Sequence, residues 1–236
     1  MKISLVMPAY NEEKYIKESL ESVSKYGQDI FEIIVINNGS TDQTFEVAQK
    51  FPNVRVVNEP QKGLPLARNR GLQEASGDVV AFVDADTRIS KKWVSEIKKE
   101  FQGNPNLVSL SGPYRYYDAT LIQKILTWVY WNFLAYPSYL LTGYLGILGN
   151  LAAKKEALQK IGGFDKNIKF YGDDTDITKR LHKIGKVKFS SNFFVYSSAR
   201  RFKGEGLLKT GYRYGINFLS IVFLNKPWTS TSSEIR

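Results

Sequence analysis

The chain has 236 residues, with 33 Lys/Arg against 23 Asp/Glu and a formal net charge of +10. It has no cysteine and a single histidine, His182, which excludes disulfides, thiolate nucleophiles, Cys–zinc and Fe–S sites and any multi-His metal site. An apolar fraction of 43% and an aromatic fraction of 14% exclude a disordered chain, and the length suits one large α/β domain, or one domain with a small appendage.

In chain order, short apolar runs at 3–7, 33–36, 54–57 and 79–83 predict strands, each ended by Pro, Asn or Asp. Amphipathic stretches at 14–25, 42–50, 64–75 and 91–101 predict helices. Strands alternating with helices imply a mostly parallel sheet covered on both faces. The run at 3–7 is too short for a signal peptide, so residence on the cytoplasmic side is the expectation. Residues 125–149 carry no charge, enough to cross a bilayer by length, but Pro137, Gly143, Gly146 and several Tyr interrupt them. The expectation is contact with a membrane interface or packing in a core, without a span. Residues 207–224 combine apolar residues with Lys209 and Arg213 at helical spacing. Residues 1–178 hold 21 basic and 21 acidic residues, whereas 179–236 hold 12 basic residues against Glu205 and Glu234. That asymmetry suits an anionic partner, whether nucleic acid, membrane surface or phosphorylated ligand, or serves solubility alone.

In open α/β sheets ligands bind beyond the carboxyl ends of the strands. Those positions read Pro8-Ala9-Tyr10-Asn11-Glu12, Asn37-Asn38-Gly39-Ser40-Thr41-Asp42 and Asp84-Ala85-Asp86. In extended backbone Asp84 and Asp86 would point to one side and repel unless a cation such as Mg²⁺ or Mn²⁺ lay between them. The same residues also suit a turn and helix cap. Lys62, Arg68 and Arg70 bring cations towards this rim, or belong to a solvated helix face. Further on, Asp173, Asp174 and Asp176 open a helix that continues through Leu181. Three acids in four positions exceed what the helix dipole needs, and an ionised Asp is a competent base. His182 has no second His nearby in sequence and is expected to be structural or solvent-facing.

The ordered series PAYNEE (8–13), NNGSTD (37–42), KGLPLARNRG (62–71), DAD (84–86), GNLAAKKEAL (149–158), GGFD (162–165) and GDDTDITKRL (172–181) resembles glycosyltransferase family 2, over about residues 3–185. The resemblance implies an inverting GT-A enzyme: a Rossmann-like, mostly parallel sheet flanked by helices, with a C-terminal helical segment. It implies a nucleotide diphosphate sugar as donor, Mg²⁺ or Mn²⁺ as cofactor and no nucleic acid partner. By position, Pro8, Ala9, Tyr10 and Glu12 would line the nucleotide pocket, Asn38 would lie near the base, and Lys62 and Arg68 would border the diphosphate. Asp84, Ala85 and Asp86 match the metal-binding D-x-D, with Asp84 and Asp86 as ligands, and Asp174 matches the general base. The family often has a further His ligand where this chain reads Val195-Tyr-Ser-Ser-Ala-Arg-Arg201. Arg200 and Arg201 there suit a diphosphate or acceptor phosphate, or form a surface pair.

The expected organisation is a GT-A domain over 1–200, with a nucleotide-sugar half (1–110) and an acceptor and base half (111–200). A basic amphipathic segment follows over 201–236. The acceptor offers a hydroxyl or phosphate, and a polyprenyl or other lipid-linked glycan would account for the uncharged run. An anionic membrane surface would account for the basic end, placing the protein peripherally on the inner face. A nucleotidyltransferase is the rival enzyme, disfavoured because 8–12 lacks a glycine-rich phosphate loop. A non-catalytic membrane or carbohydrate-binding module is the rival of another class, disfavoured by Asp84, Asp86 and Asp174 together.

Overall fold

The computed structural model describes residues 1–168, 172–224 and 226–229; the end of the tail predicted over 201–236 lies outside them. The chain begins β1 (Ile3–Ala9), α1 (Ile16–Tyr26), β2 (Glu32–Asn37), α2 (Thr44–Gln49), β3 (Val54–Asn58), α3 (Leu64–Glu74) and β4 (Val79–Val83), the alternation expected from the apolar runs. It continues β5 (Arg88–Ile89), α4 (Trp93–Gly103), β6 (Leu107–Ser111), β7 (Tyr114–Tyr116), α5 (Leu121–Tyr130), a π-helical turn (Trp131–Ala135) and α6 (Tyr136–Thr142). It closes with β8 (Asn150–Lys154), α7 (Lys155–Lys160), α8 (Asp173–His182), β9 (Lys186–Phe189), β10 (Val195–Ser197), α9 (Arg200–Glu205) and α10 (Leu207–Leu224).

The main sheet has the order β3-β2-β1-β4-β8-β6-β9. Its first four strands are parallel, β8 is antiparallel to β4 and β6, and β9 is parallel to β6. Side chains of a strand alternate between faces. Leu5, Met7, Val35, Ala81 and Val83 pack with Ile16, Leu20, Val23 and Trp93 of α1 and α4. Val6, Ile34, Ile36 and Phe82 pack with Ala67, Leu72, Leu158, Ile177 and Leu181 of α3, α7 and α8. All five residues of β4 are buried, as a central strand covered on both faces requires.

β1 runs further than its apolar core predicts, so Pro8 and Ala9 lie in the strand instead of after it. Pairing with β4 stops at Val6, while pairing with β2 continues to Ala9, so Pro8 has a strand neighbour on one side only and its missing N–H is tolerated. The chain crosses from the β2–β3 side of β1 to β4 on the other, a topological switch whose crevice opens beyond the strand ends. A second sheet, β5-β10-β7, draws residues 88–89, 114–116 and 195–197 together across this crevice.

Most of the uncharged run is one helical rod, α5 through α6. Thr120 and Gln123 form a capping box at its start, and Gly143 ends it in the left-handed region at φ 78°. Pro137 has no N–H for the carbonyl of Phe133, and the rod widens just before it, where Tyr136 N–H bonds Trp131 O. Among the described residues no helix is long and apolar enough to cross a membrane. The rod leaves Leu121, Trp128, Phe133, Leu134, Leu140 and Leu141 exposed, Leu141 by 88%.

Candidate active site

A cavity of about 1070 Å³ opens at the switch point. Pro8, Ala9, Tyr10, Glu12, Asn38, Lys62, Arg68, Asp84, Ala85, Asp86 and Asp174 all line it. The parallel sheet brings together residues 166 positions apart in sequence, because β1, β2 and β4 end on one rim and α8 points its first turn at the same rim.

Of the two conformations open to the D-x-D residues, 84–87 adopt the turn, closed by Thr87 N–H on Asp84 O at 3.0 Å. Ser19 of α1 donates to Ala85 O at 2.7 Å and fixes this turn to the helix layer. Tyr114 OH donates to Asp84 Oδ2 at 2.9 Å, and Arg68 lies 3.5 Å from Asp84 Oδ1. Asp86 Oδ2 lies 3.1 Å from Arg200 Nε. The two Nη atoms of Arg200 hold Glu12 at 2.6 and 2.8 Å, and its guanidinium sits 4.7 Å from the Tyr15 ring centroid. Burial pushes the Asp86 carboxyl up to about 7; Arg200 opposes that rise, and Asp84 and Glu12 add to it.

The three acids of α8 have separate tasks. Arg68, 3% exposed, holds Asp173 at 2.6 Å. Asp176 faces Arg180 at 2.6 Å, the i,i+4 pair its spacing predicts. Asp174 faces the cavity and, among the described residues, makes no ion pair. Burial first, then the neighbouring charge of Asp173, pushes its carboxyl up to about 7. Gly172, at φ 92°, starts the helix under Ile221 of α10; a side chain there would be strained and would meet that isoleucine.

Asn38 spends its amide on the neighbouring loop: Nδ2 donates to Glu59 O and Gln61 O, and Oδ1 accepts Gly63 N–H at 2.8 Å. The clamp sets Lys62, whose ammonium donates to Tyr10 OH at 2.8 Å and lies over that ring. His182 packs against Tyr144 beside Gly143 while staying exposed to solvent.

Among the described residues no cluster of three or more His, Cys, Asp or Glu side chains could hold a metal ion. Asp84 and Asp86 still suit Mg²⁺ or Mn²⁺, because such ions bind through one or two carboxylates and complete their shell with phosphate oxygens and water.

Several contributors are not singled out as site residues by the sequence. Tyr114 reaches Asp84 only because the second sheet places it there. Gly149 ends the uncharged run against Asp84 and Tyr114, and a methyl group there would overlap both side chains. Tyr130, Trp131 and Leu134 of the rod, with Phe218 and Leu219 of α10, wall the rest of the cavity. Burial, then Asp174, holds the Tyr130 phenol up to about 12, so it stays protonated. Lys179 of α8 donates to Ile221 O and Val222 O at 2.8 Å, tying the end of α10 to the helix that carries Asp174.

The family model described as "Glycosyl transferase family 2" matches residues 4–162. The probable glycosyltransferase YdaM of Bacillus subtilis is 26% identical over 78% of this chain and 47% of its own length. The uncharacterized glycosyltransferase YibD of Escherichia coli is 39% identical over 37% of this chain and 27% of its own length. The chain thus spans less than half of either relative. Among solved structures, the mannosyltransferase PcManGT from Pyrobaculum calidifontis, in complex with GDP-Man and Mn²⁺, superposes with a TM-score of 0.71 at 19% identity, covering 95% of this chain and 63% of that one. TarS of S. aureus in complex with UDP-GlcNAc gives 0.65 at 23% identity over 85% and 59%. At these identities the likeness establishes the fold, which is GT-A.

Proposed function

Because the chain belongs to glycosyltransferase family 2, we propose that it transfers a sugar from a nucleotide diphosphate sugar to an acceptor hydroxyl, with inversion at the anomeric carbon. The observation that carries this reading is that Asp84 and Asp86, at the end of β4, and Asp174, at the start of α8, line one cavity. Tyr10, Asn38 and Lys62 are proposed to border the nucleotide, and Asp84 with Asp86 to hold Mg²⁺ or Mn²⁺. The bound ion would neutralise charge on the departing diphosphate. Asp174 takes the proton of the acceptor hydroxyl as its oxygen bonds the anomeric carbon. The bond from that carbon to the diphosphate breaks on the opposite face, and its electron pair leaves with the diphosphate. Arg68 holds Asp173, and so fixes the first turn from which Asp174 projects.

The acceptor is proposed to be lipid-linked and the protein to work against an anionic membrane surface. The support is the apolar face of the α5–α6 rod beside the cavity and the exposed Leu219, Phe223, Leu224 and Trp228 of the C-terminal segment. The basic end contributes less free charge than its composition suggests. Arg180, Lys188, Arg200, Lys203 and Arg213 pair with Asp176, Glu100, Glu12, Asp118 and Glu205. Apolar contact is therefore the larger part of the proposed attachment.

Phosphorus NMR on a panel of nucleotide sugars with Mn²⁺ tests the reaction class. Nucleoside diphosphate is the expected by-product. Inorganic pyrophosphate would identify nucleotidyl transfer instead.

A further inference from the structure

Arg200 joins the two walls of the cavity. It is the first residue of α9, and its position is set by three contacts to one carboxylate. Asp118 accepts Ala199 N–H at 2.6 Å, Ser198 Oγ at 3.1 Å and Lys203 Nζ at 3.0 Å. From there the guanidinium reaches across to Glu12, just beyond β1, with both Nη atoms, and to Asp86 with Nε alone.

The asymmetry of these contacts matters. The Glu12 pair is bidentate at 2.6 and 2.8 Å, whereas the Asp86 contact is single and longer at 3.1 Å. Bidentate guanidinium–carboxylate pairs are the stronger kind. Glu12 can therefore keep Arg200 as a pivot while Nε leaves Asp86. A divalent cation on Asp86 Oδ2 would meet a guanidinium only 3.1 Å from that oxygen, and two cations on one carboxylate oxygen repel. A diphosphate in the same cavity offers the freed guanidinium new oxygen acceptors.

We propose that Arg200 is a resident counter-ion of Asp86 that a divalent cation displaces, and that the displaced guanidinium turns to the diphosphate of the donor, so that cation and diphosphate each strengthen binding of the other. This rests on the metal-assisted reading above. It assigns Arg200 a task distinct from that of a metal ligand: it keeps the buried carboxylate neutralised before substrate arrives and makes cation binding conditional on the diphosphate. The coupling is reciprocal, because both ligands act on one exchange.

The test uses Mn²⁺, followed by its electron paramagnetic resonance signal, with the whole chain. In wild type Mn²⁺ alone binds weakly, and inorganic pyrophosphate strengthens it, after correction for the complex formed in buffer. Arg200→Gln binds Mn²⁺ alone about tenfold tighter, and the strengthening by pyrophosphate, of the ~5–150-fold size common for coupled sites, falls to the smaller part that phosphate ligation of the ion supplies without Arg200. Arg200→Lys keeps the cation and stays near wild type. Mn²⁺ affinity that is unchanged or weaker in Arg200→Gln overturns the inference while leaving the metal reading in place. Absence of Mn²⁺ binding from every version, with or without pyrophosphate, removes the metal reading and the inference with it. A readout in wild type guards against a misfolded variant: the Nε–H resonance of Arg200, assigned by its loss in Arg200→Lys, must shift when Mg²⁺ and pyrophosphate are added. A resonance that stays in place contradicts the exchange.

Discussion

The two walls of the cavity are built in opposite ways. The wall from residues 1–110 is made of the ends of β1, β2 and β4, strands whose residues are almost all buried. The wall from residue 111 onward is made largely of helices that leave large apolar side chains in solvent, Leu141 at 88% and Phe223 at 75%. A side chain at the end of a buried strand is held from both faces of the sheet, which suits a donor whose diphosphate must sit in one place. An exposed helical wall pays no such constraint, and it is where we place acceptor choice. The contrast teaches that substitutions on the first wall should alter chemistry, and substitutions on the outer surface of the second should alter partners.

The largest expected effect breaks the contrast at its joint. Asp174 belongs to the second wall by sequence but to the chemistry by position. Asp174→Asn should lower the transfer rate by about 10²–10⁴-fold, the usual worth of a general base, at unchanged donor affinity. A steady-state assay with the preferred nucleotide sugar checks this, and a loss below about tenfold would move the base to another residue.

Gly149→Ala comes next. Its methyl group meets Asp84 and Tyr114, and overpacking of this kind typically costs about 1–3 kcal/mol; if Asp84 moves to relieve it and that cost falls on the bound state, Mn²⁺-dependent nucleotide affinity should fall about 5- to 150-fold. Affinity equal to wild type would mean that Asp84 does not need its place beside Tyr114.

The response to pH is smaller and has a sign. Asp174 is pushed up to about 7 in the folded chain, above its ordinary unfolded value near ~3.9. The folded state therefore favours the protonated form. This contribution to stability is full below ~3.9 and is lost as pH rises through about 7. Asp174→Asn should gain in melting temperature relative to wild type between pH 4 and 8, by about 2–4 °C for each kcal/mol relieved. Transfer by wild type should rise over the same range, because the base must be ionised. A melting-temperature difference that is constant with pH would contradict the shift.

The smallest effect on the fold is expected on the outer surface. Leu141→Ser and Phe133→Ser should change stability by no more than about 0.5 kcal/mol, since both side chains are largely exposed. They should nevertheless weaken binding to vesicles containing anionic lipid. Sedimentation with such vesicles measures this, and equal binding of wild type and variants would detach the apolar face from any membrane role.

The same contrast explains what could be read from the chain alone. The apolar runs at 3–7, 33–36, 54–57 and 79–83 each form a strand: those at 3–7, 33–36 and 79–83 are buried inside the sheet, while 54–57, which carries Arg55, forms its partly exposed edge. The residues that line the first wall follow from where those runs stop. The pairing of Arg200 with Glu12, 188 positions away, had no local signature. Nor did the clamp of Asn38 on the 59–63 loop, or the contact of Tyr114 with Asp84. These depend on the second sheet and on loop closure, which no periodicity records. The D-x-D spacing suits both an extended pair and a turn, and only the packing decides between them: the chain turns directly after Val83.

Calorimetric titration of a nucleoside diphosphate with Mn²⁺ into wild type, Asp86→Ala and Asp174→Asn tests the central claim most directly. The account predicts wild-type affinity in Asp174→Asn, and loss of the Mn²⁺-dependent part in Asp86→Ala while that variant remains folded. Wild-type affinity in Asp86→Ala, or lost affinity in Asp174→Asn, would contradict a cavity in which the end of β4 holds the donor and the start of α8 supplies the base.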